Sequence, residues 1–331
     1  MVSDQKQLVA APEPLTRSEV QTFVIFSTWI IAGLFLDGWS HQVRKPETFF
    51  TPWHGLMYSG FFAALVFGAW QDSRAKARGE PATGMDRLVR IGGALFVVGA
   101  IGDFLWHSIL GIEVNTEALL SPTHLTLATG GLLLASTPAR VAWRSRTVDR
   151  PVASWAVVQS VTATTAVVAF FTQFASGFRV DRIYDTWWKG MGPLAEGHVI
   201  RGVTAILLTN ALLLGALSFL TSRWTLPRGA CTFVVTAIAL ASNGLTGFHH
   251  VTLVLAAVIG GVAADAALAR ERPKLVPIVT PLAMWSAWTA IAAITATFNW
   301  SPNVWGGTIF LATLTGVGLQ VLAYPSLSSD R

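Results

Sequence analysis

Ten predominantly apolar runs, at residues 22–40, 53–70, 88–109, 122–139, 152–176, 198–221, 229–247, 250–269, 277–297 and 304–324, leave this chain few folds to choose from. A helix rises 1.5 Å per residue, so about 20 apolar residues cross a hydrocarbon core of about 30 Å. Charged residues make up 12% of the chain, roughly half the share of a soluble domain. The expected fold is all-α, a polytopic transmembrane helix bundle of about ten spans whose first partner is the lipid bilayer. The first 20 residues are polar and contain proline. The expectation is therefore that the first span acts as its own insertion signal.

The net charge of +5 is a topology signal and not a nucleic-acid footprint. Assigned to alternate sides of the ten runs, 17 of the 23 Lys and Arg fall on the side of the N-terminus and six on the other. The positive-inside rule then puts both termini in the cytoplasm, in a cell membrane. Residues 1–21 read as a cytoplasmic tail, 22–140 as a four-helix half and 152–324 as a six-helix half. A single cysteine, Cys231, excludes an intrachain disulfide and any multi-thiolate metal site.

All seven histidines (41, 54, 107, 124, 198, 249 and 250) lie near the outer ends of the expected spans. Ionisable groups inside a membrane are costly and usually functional. The densest stretch is LDGWSHQVRKPETFFTPWHGLMYSG, residues 36–60. Asp37 and His41 are four apart, hence on one helix face a turn apart. A connection over 41–51 would bring His54 beside them from the next helix. The pattern repeats in GDFLWHSIL, where Asp103 and His107 are again four apart, and SPTH supplies His124 as TPWH supplies His54. Pro fits a first helical turn and a preceding Thr or Ser can cap it. One carboxylate and two imidazoles suit copper, zinc or iron. The two hairpins could form two neighbouring sites or one shared site.

The run DGWSHQVRKPETFFTPWH resembles the signature of the C subunit of the copper membrane monooxygenases, the particulate methane and ammonia monooxygenase family, over about residues 22–140. Asp37, Gly38, His41, Gln42, Glu47, Thr48, Phe50, Thr51, Pro52 and His54 fall where that family has them. The resemblance implies copper, one or two ions, with zinc or iron ranking below it. It implies that Asp37, His41 and His54 bind one ion. Asp103, His107 and a shared His54 would bind the other, with His124 as a further candidate ligand. Asp103 stands where the family has Asn, and six expected spans lie beyond the match. The implied activity is O₂-dependent oxidation of a small apolar substrate arriving through the bilayer. Asp37, His41, His54, Asp103 and His107 would then be the catalytic set. The electron donor would be quinol or a redox protein, with partner subunits or a homo-oligomer left open.

Two other classes compete. A metal transporter or copper-handling assembly factor would need polar groups continuing toward the cytoplasmic face, where Gln159, Asn210 and Asp265 are scattered. A structural membrane subunit would carry the same residues without using them. The second half offers Gln173, Trp187, Trp188 and the segment ASNGLTGFHH. His198, His249 and His250 are candidate extra ligands. The tryptophans at 285, 288, 300 and 305, with Asn299, read as packing and interface anchors, and Gly130, Gly131, Gly260 and Gly261 as close helix packing.

Overall fold

The computed structural model describes residues 17–43, 50–79, 87–111, 115–144, 150–179, 193–295 and 300–323. Glu47, Thr48, Trp187, Trp188 and Asn299, singled out above, lie outside the described residues.

A helix stands over every one of the ten apolar runs. The long helices of the first half are α1 (Arg17–Val43), α2 (Pro52–Ala77) and α3 (Arg87–Leu110). Three shorter ones follow, α4 (Asn115–Leu120), α5 (Pro122–Ala135) and α6 (Thr137–Arg144). The second half holds α7 (Trp155–Phe171), α8 (Pro193–Arg223), α9 (Ala230–Gly244), α10 (Val254–Ala269), α11 (Val276–Thr295) and α12 (Pro302–Ala323). Among the described residues six helices, against about ten expected spans, are long and apolar enough to cross a membrane, and the apolar helices α7 and α9 are shorter. The protein is thus an all-α, multi-pass membrane protein.

Two differences from the sequence reading stand out. The run 122–139 is not one helix but two, broken at Ser136. Ser160 of α7 holds the break, donating to the Ala135 carbonyl at 2.6 Å and accepting from the Ala139 N–H at 3.2 Å. Between α3 and α5 the chain also forms the short helix α4, which hydropathy alone does not reveal.

Helix α1 packs on α2 and α3 on α5, while α10 packs on α9 and α11. Glycine sets the first two distances. A methyl group on Gly33 would lie 2.6 Å from the Met57 Cα, and one on Gly130 would lie 2.7 Å from the Gly92 oxygen. Gly260 and Gly261 likewise meet Met284 and Thr232, as expected. Gly131 meets nothing within 4 Å; it lines a cavity instead. A small apolar core joins α1, α2, α3 and α5 through Phe23, Ile30, Met57, Phe61, Phe96 and Leu127. A larger one fills the second half.

Polar pins fix that second half. Asn210 accepts from the Trp285 Nε1–H at 2.9 Å and donates to the Ala312 carbonyl at 2.8 Å. Trp288 donates to the Gly177 carbonyl and Asn243 to that of Phe178, both at 2.9 Å. In lipid, buried amides and indoles need such partners because water is absent. Trp285, Trp288 and Trp300 are buried, as packing requires, whereas Trp305 is exposed.

Candidate metal centre

Helices α1 and α2 bring Asp37, His41 and His54 together, and α3 and α5 do the same with Asp103, His107 and His124. In each group one ligand-type atom per residue lies within 4.8 Å of the others. The Asp37 carboxylate sits 3.5 Å from His41 Nε2 and 3.4 Å from His54 Nε2. The Asp103 carboxylate sits 3.3 Å from His107 Nε2 and 3.1 Å from His124 Nε2. The imidazole rings are 5.8 Å apart in the first group and 5.7 Å in the second. The hairpins are structural repeats down to the spacing of their rings.

Local sequence explains the presentation. Thr51 caps α2 and Ser121 caps α5, each accepting the backbone N–H of the histidine three residues on, with Pro at the first helical position. The cap hydroxyl also meets the Nδ1 of that histidine, at 3.2 Å for His54 and 2.9 Å for His124. One residue thus starts the helix and orients the ring.

Backbone carbonyls fix two tautomers. His107 Nδ1 lies 3.2 Å from the Gly111 oxygen, and His124 Nδ1 meets the Ala118 oxygen of α4. A carbonyl can only accept, so each Nδ1 carries the proton and the Nε2 of each ring is left as the atom that meets Asp103, through a proton or through a metal ion. That arrangement is characteristic of histidines that bind metals. Thr123 adds a hydrogen bond to Asp103 Oδ1 at 3.2 Å.

Each carboxylate leaves one oxygen over. Asp37 Oδ1 and Asp103 Oδ2 are buried and have no hydrogen-bond partner among the described residues. An unneutralised buried carboxylate is expensive. A cation seated between it and two imidazole lone pairs removes that cost, so the donor set fits a divalent metal of the copper, zinc or iron type.

Both groups open onto one cavity of about 1000 Å³. Its remaining wall is largely apolar, including Ile30, Leu34, Met57, Phe96, Leu127 and Phe170. One side comes from the second half, where Phe171, Gln173, Phe174 and Arg179 complete the lining. Gln173 is buried, and its Oε1 has no hydrogen-bond partner among the described residues.

Of the residues that the resemblance implies for the second ion, Asp103 and His107 come together with His124, while His54 lies with Asp37 and His41. His54 is committed to Asp37 because it starts α2, which packs on α1, while His124 starts α5, which packs on α3. His198, His249 and His250 join neither group. His249 is exposed in the turn between α9 and α10, where Phe248 adopts a positive φ of 63°.

Sequence reasoning missed Thr123 and the aromatic wall of α7. A signal for the wall was present in Gly38, where an added methyl group would lie 2.4 Å from Phe170 Cε2. Compared with protein-family models, curated proteins and solved structures, the chain matches none of them.

Proposed function

We propose that the chain is a membrane copper protein that oxidises a small apolar substrate with O₂, related to the C subunit of the copper membrane monooxygenases. It would cross a cell membrane ten times with both termini in the cytoplasm, which puts the metal groups toward the extracytoplasmic side. The single observation carrying this reading is the shared cavity: two metal-type donor sets border one space whose remaining wall is largely apolar.

In this reading Asp37, His41 and His54 hold one copper ion and Asp103, His107 and His124 the other. Copper in such a site supplies one-electron redox chemistry and O₂ binding at positions the protein leaves open. The rest belongs to the chain. The Gly111 and Ala118 carbonyls hold protons on His107 and His124 Nδ1 and so keep Nε2 available. Ile30, Leu34, Met57, Leu127 and Phe170 exclude water and favour an apolar guest. Quinol or a redox protein supplies electrons, and partner subunits or further copies of the chain complete the assembly.

The observed partners of the inner polar residues weigh against transport. Asn210 is used in helix packing. Asp265 accepts from the Cys231 and Thr232 N–H groups and the Thr232 hydroxyl. Both side chains are structural pins.

The test is turnover. Copper-loaded full-length protein given a quinol and a short alkane should consume O₂ and release the alcohol, and Asp37→Ala and Asp103→Ala should each reduce this at least about tenfold. Copper-replete protein that consumes no O₂ with any reductant would defeat the monooxygenase reading while leaving the metal sites standing.

A further inference from the structure

Away from the two Asp/His/His groups, where α6, the middle of α7 and the last turns of α8 meet, a second cavity of about 500 Å³ holds Arg140, Arg144 and Arg223. Its other lining residues are hydroxylic, Ser136, Thr164 and Thr165, or apolar, Ala139, Trp143, Val161, Ala216 and Phe219. Among the described residues no Asp or Glu lines it.

Two of the guanidinium groups are held in place. Arg140 donates to the Leu133 carbonyl at 2.8 Å, to Thr137 Oγ1 at 3.1 Å and to Ser136 Oγ. Arg223 lies over two aromatic faces, 4.8 Å from the Trp143 centroid and 4.4 Å from that of Phe219. Trp224, itself buried, packs on both of those rings. Arg144 is exposed at the rim. The hydroxyl protons of Ser136, Thr164 and Thr165 are spent on backbone carbonyls. Recognition of a ligand therefore falls to the three arginines and to the apolar wall beside them.

We propose that this cavity binds the headgroup of an anionic glycerophospholipid, its phosphate against Arg140, Arg144 and Arg223 and the start of its acyl chains along Val161, Ala216 and Phe219. Arginine suits phosphate because its planar fork gives paired, charge-assisted hydrogen bonds. Basic cavities between spanning helices on the cytoplasmic side are where such headgroups bind, and this cavity is on that side in the topology proposed above. A soluble phosphate would use the arginines but gain nothing from the apolar wall. The site does not depend on the metal reading.

Full-length protein in neutral detergent would be titrated with phosphatidylglycerol, phosphatidylcholine or inorganic phosphate, with binding read by native mass spectrometry and thermal unfolding. Phosphatidylglycerol should bind at least about tenfold more tightly than phosphatidylcholine, and Arg140→Gln combined with Arg223→Gln should remove that preference. Arg144→Gln, a change at the exposed rim, should weaken it several-fold and decides the matter if the double variant does not fold. Arg270→Gln, an exposed change outside this cavity, should leave it unaltered. Equal binding of the two lipids, or an equal loss in Arg270→Gln and Arg144→Gln, would overturn the proposal. So would displacement of phosphatidylglycerol by inorganic phosphate at matched concentration.

Discussion

A carboxylate gripped by two imidazoles and closed off from water gains little from hydrogen bonding alone, because one of its oxygens is left without a donor. That is the state of Asp37 and of Asp103, and it gives each residue around them a measurable weight. Thr123→Val removes the hydroxyl on Asp103 Oδ1 and should weaken the second ion by about tenfold, the usual cost of losing an outer partner of a ligand. The first ion should be unaffected, which competition with a chelator would show. Spacing alone revealed Asp37, His41, Asp103 and His107, since residues four apart on a helix share a face. Thr123 was not legible, because its contact with Asp103 spans two helices and exists only once they are packed.

Caps and close approaches decide whether the hairpins form. Ser121 starts α5 and meets His124 Nδ1, so Ser121→Ala should cost about 1 kcal/mol of stability and loosen the second site. Gly38→Ala should be worse for the first site, since its methyl group would lie 2.4 Å from Phe170. Overpacking of that kind typically costs about 1–3 kcal/mol, and thermal unfolding of the metal-free protein would register both. In the second half, Asn210→Leu strands the Trp285 N–H and should cost about 1 kcal/mol, the usual scale for polar contacts between helices in lipid. The Thr-Pro-x-His and Ser-Pro-x-His starts were readable from residue chemistry. The break at Ser136 was not, because it is stabilised by Ser160, more than twenty residues further along.

The molecule as a whole joins a smaller half carrying the two Asp/His/His groups to a larger pinned half, and the cavity is lined from both. Hydropathy showed where the apolar helices would lie, because lipid forces backbone polar groups to be satisfied within helices, but not that one run would break in two or that α7 and α9 would be short. It could not show that α7 supplies Phe170, Phe171 and nearby Gln173 to the site, since an apolar helix carries no mark of its neighbour. The proposed sidedness is checked with single cysteines, because Cys231 is buried and should not react. Lys76→Cys should be labelled only from the cytoplasm and Leu110→Cys only from outside; the reverse would invert the topology.

The most direct measurement is copper content with EPR on purified full-length protein after loading and dialysis. The account predicts about two ions per chain, each with a Cu(II) spectrum of nitrogen and oxygen coordination, and about one ion in either Asp37→Ala or Asp103→Ala. Folded protein that holds no copper, or that keeps the same amount in both variants, would contradict it.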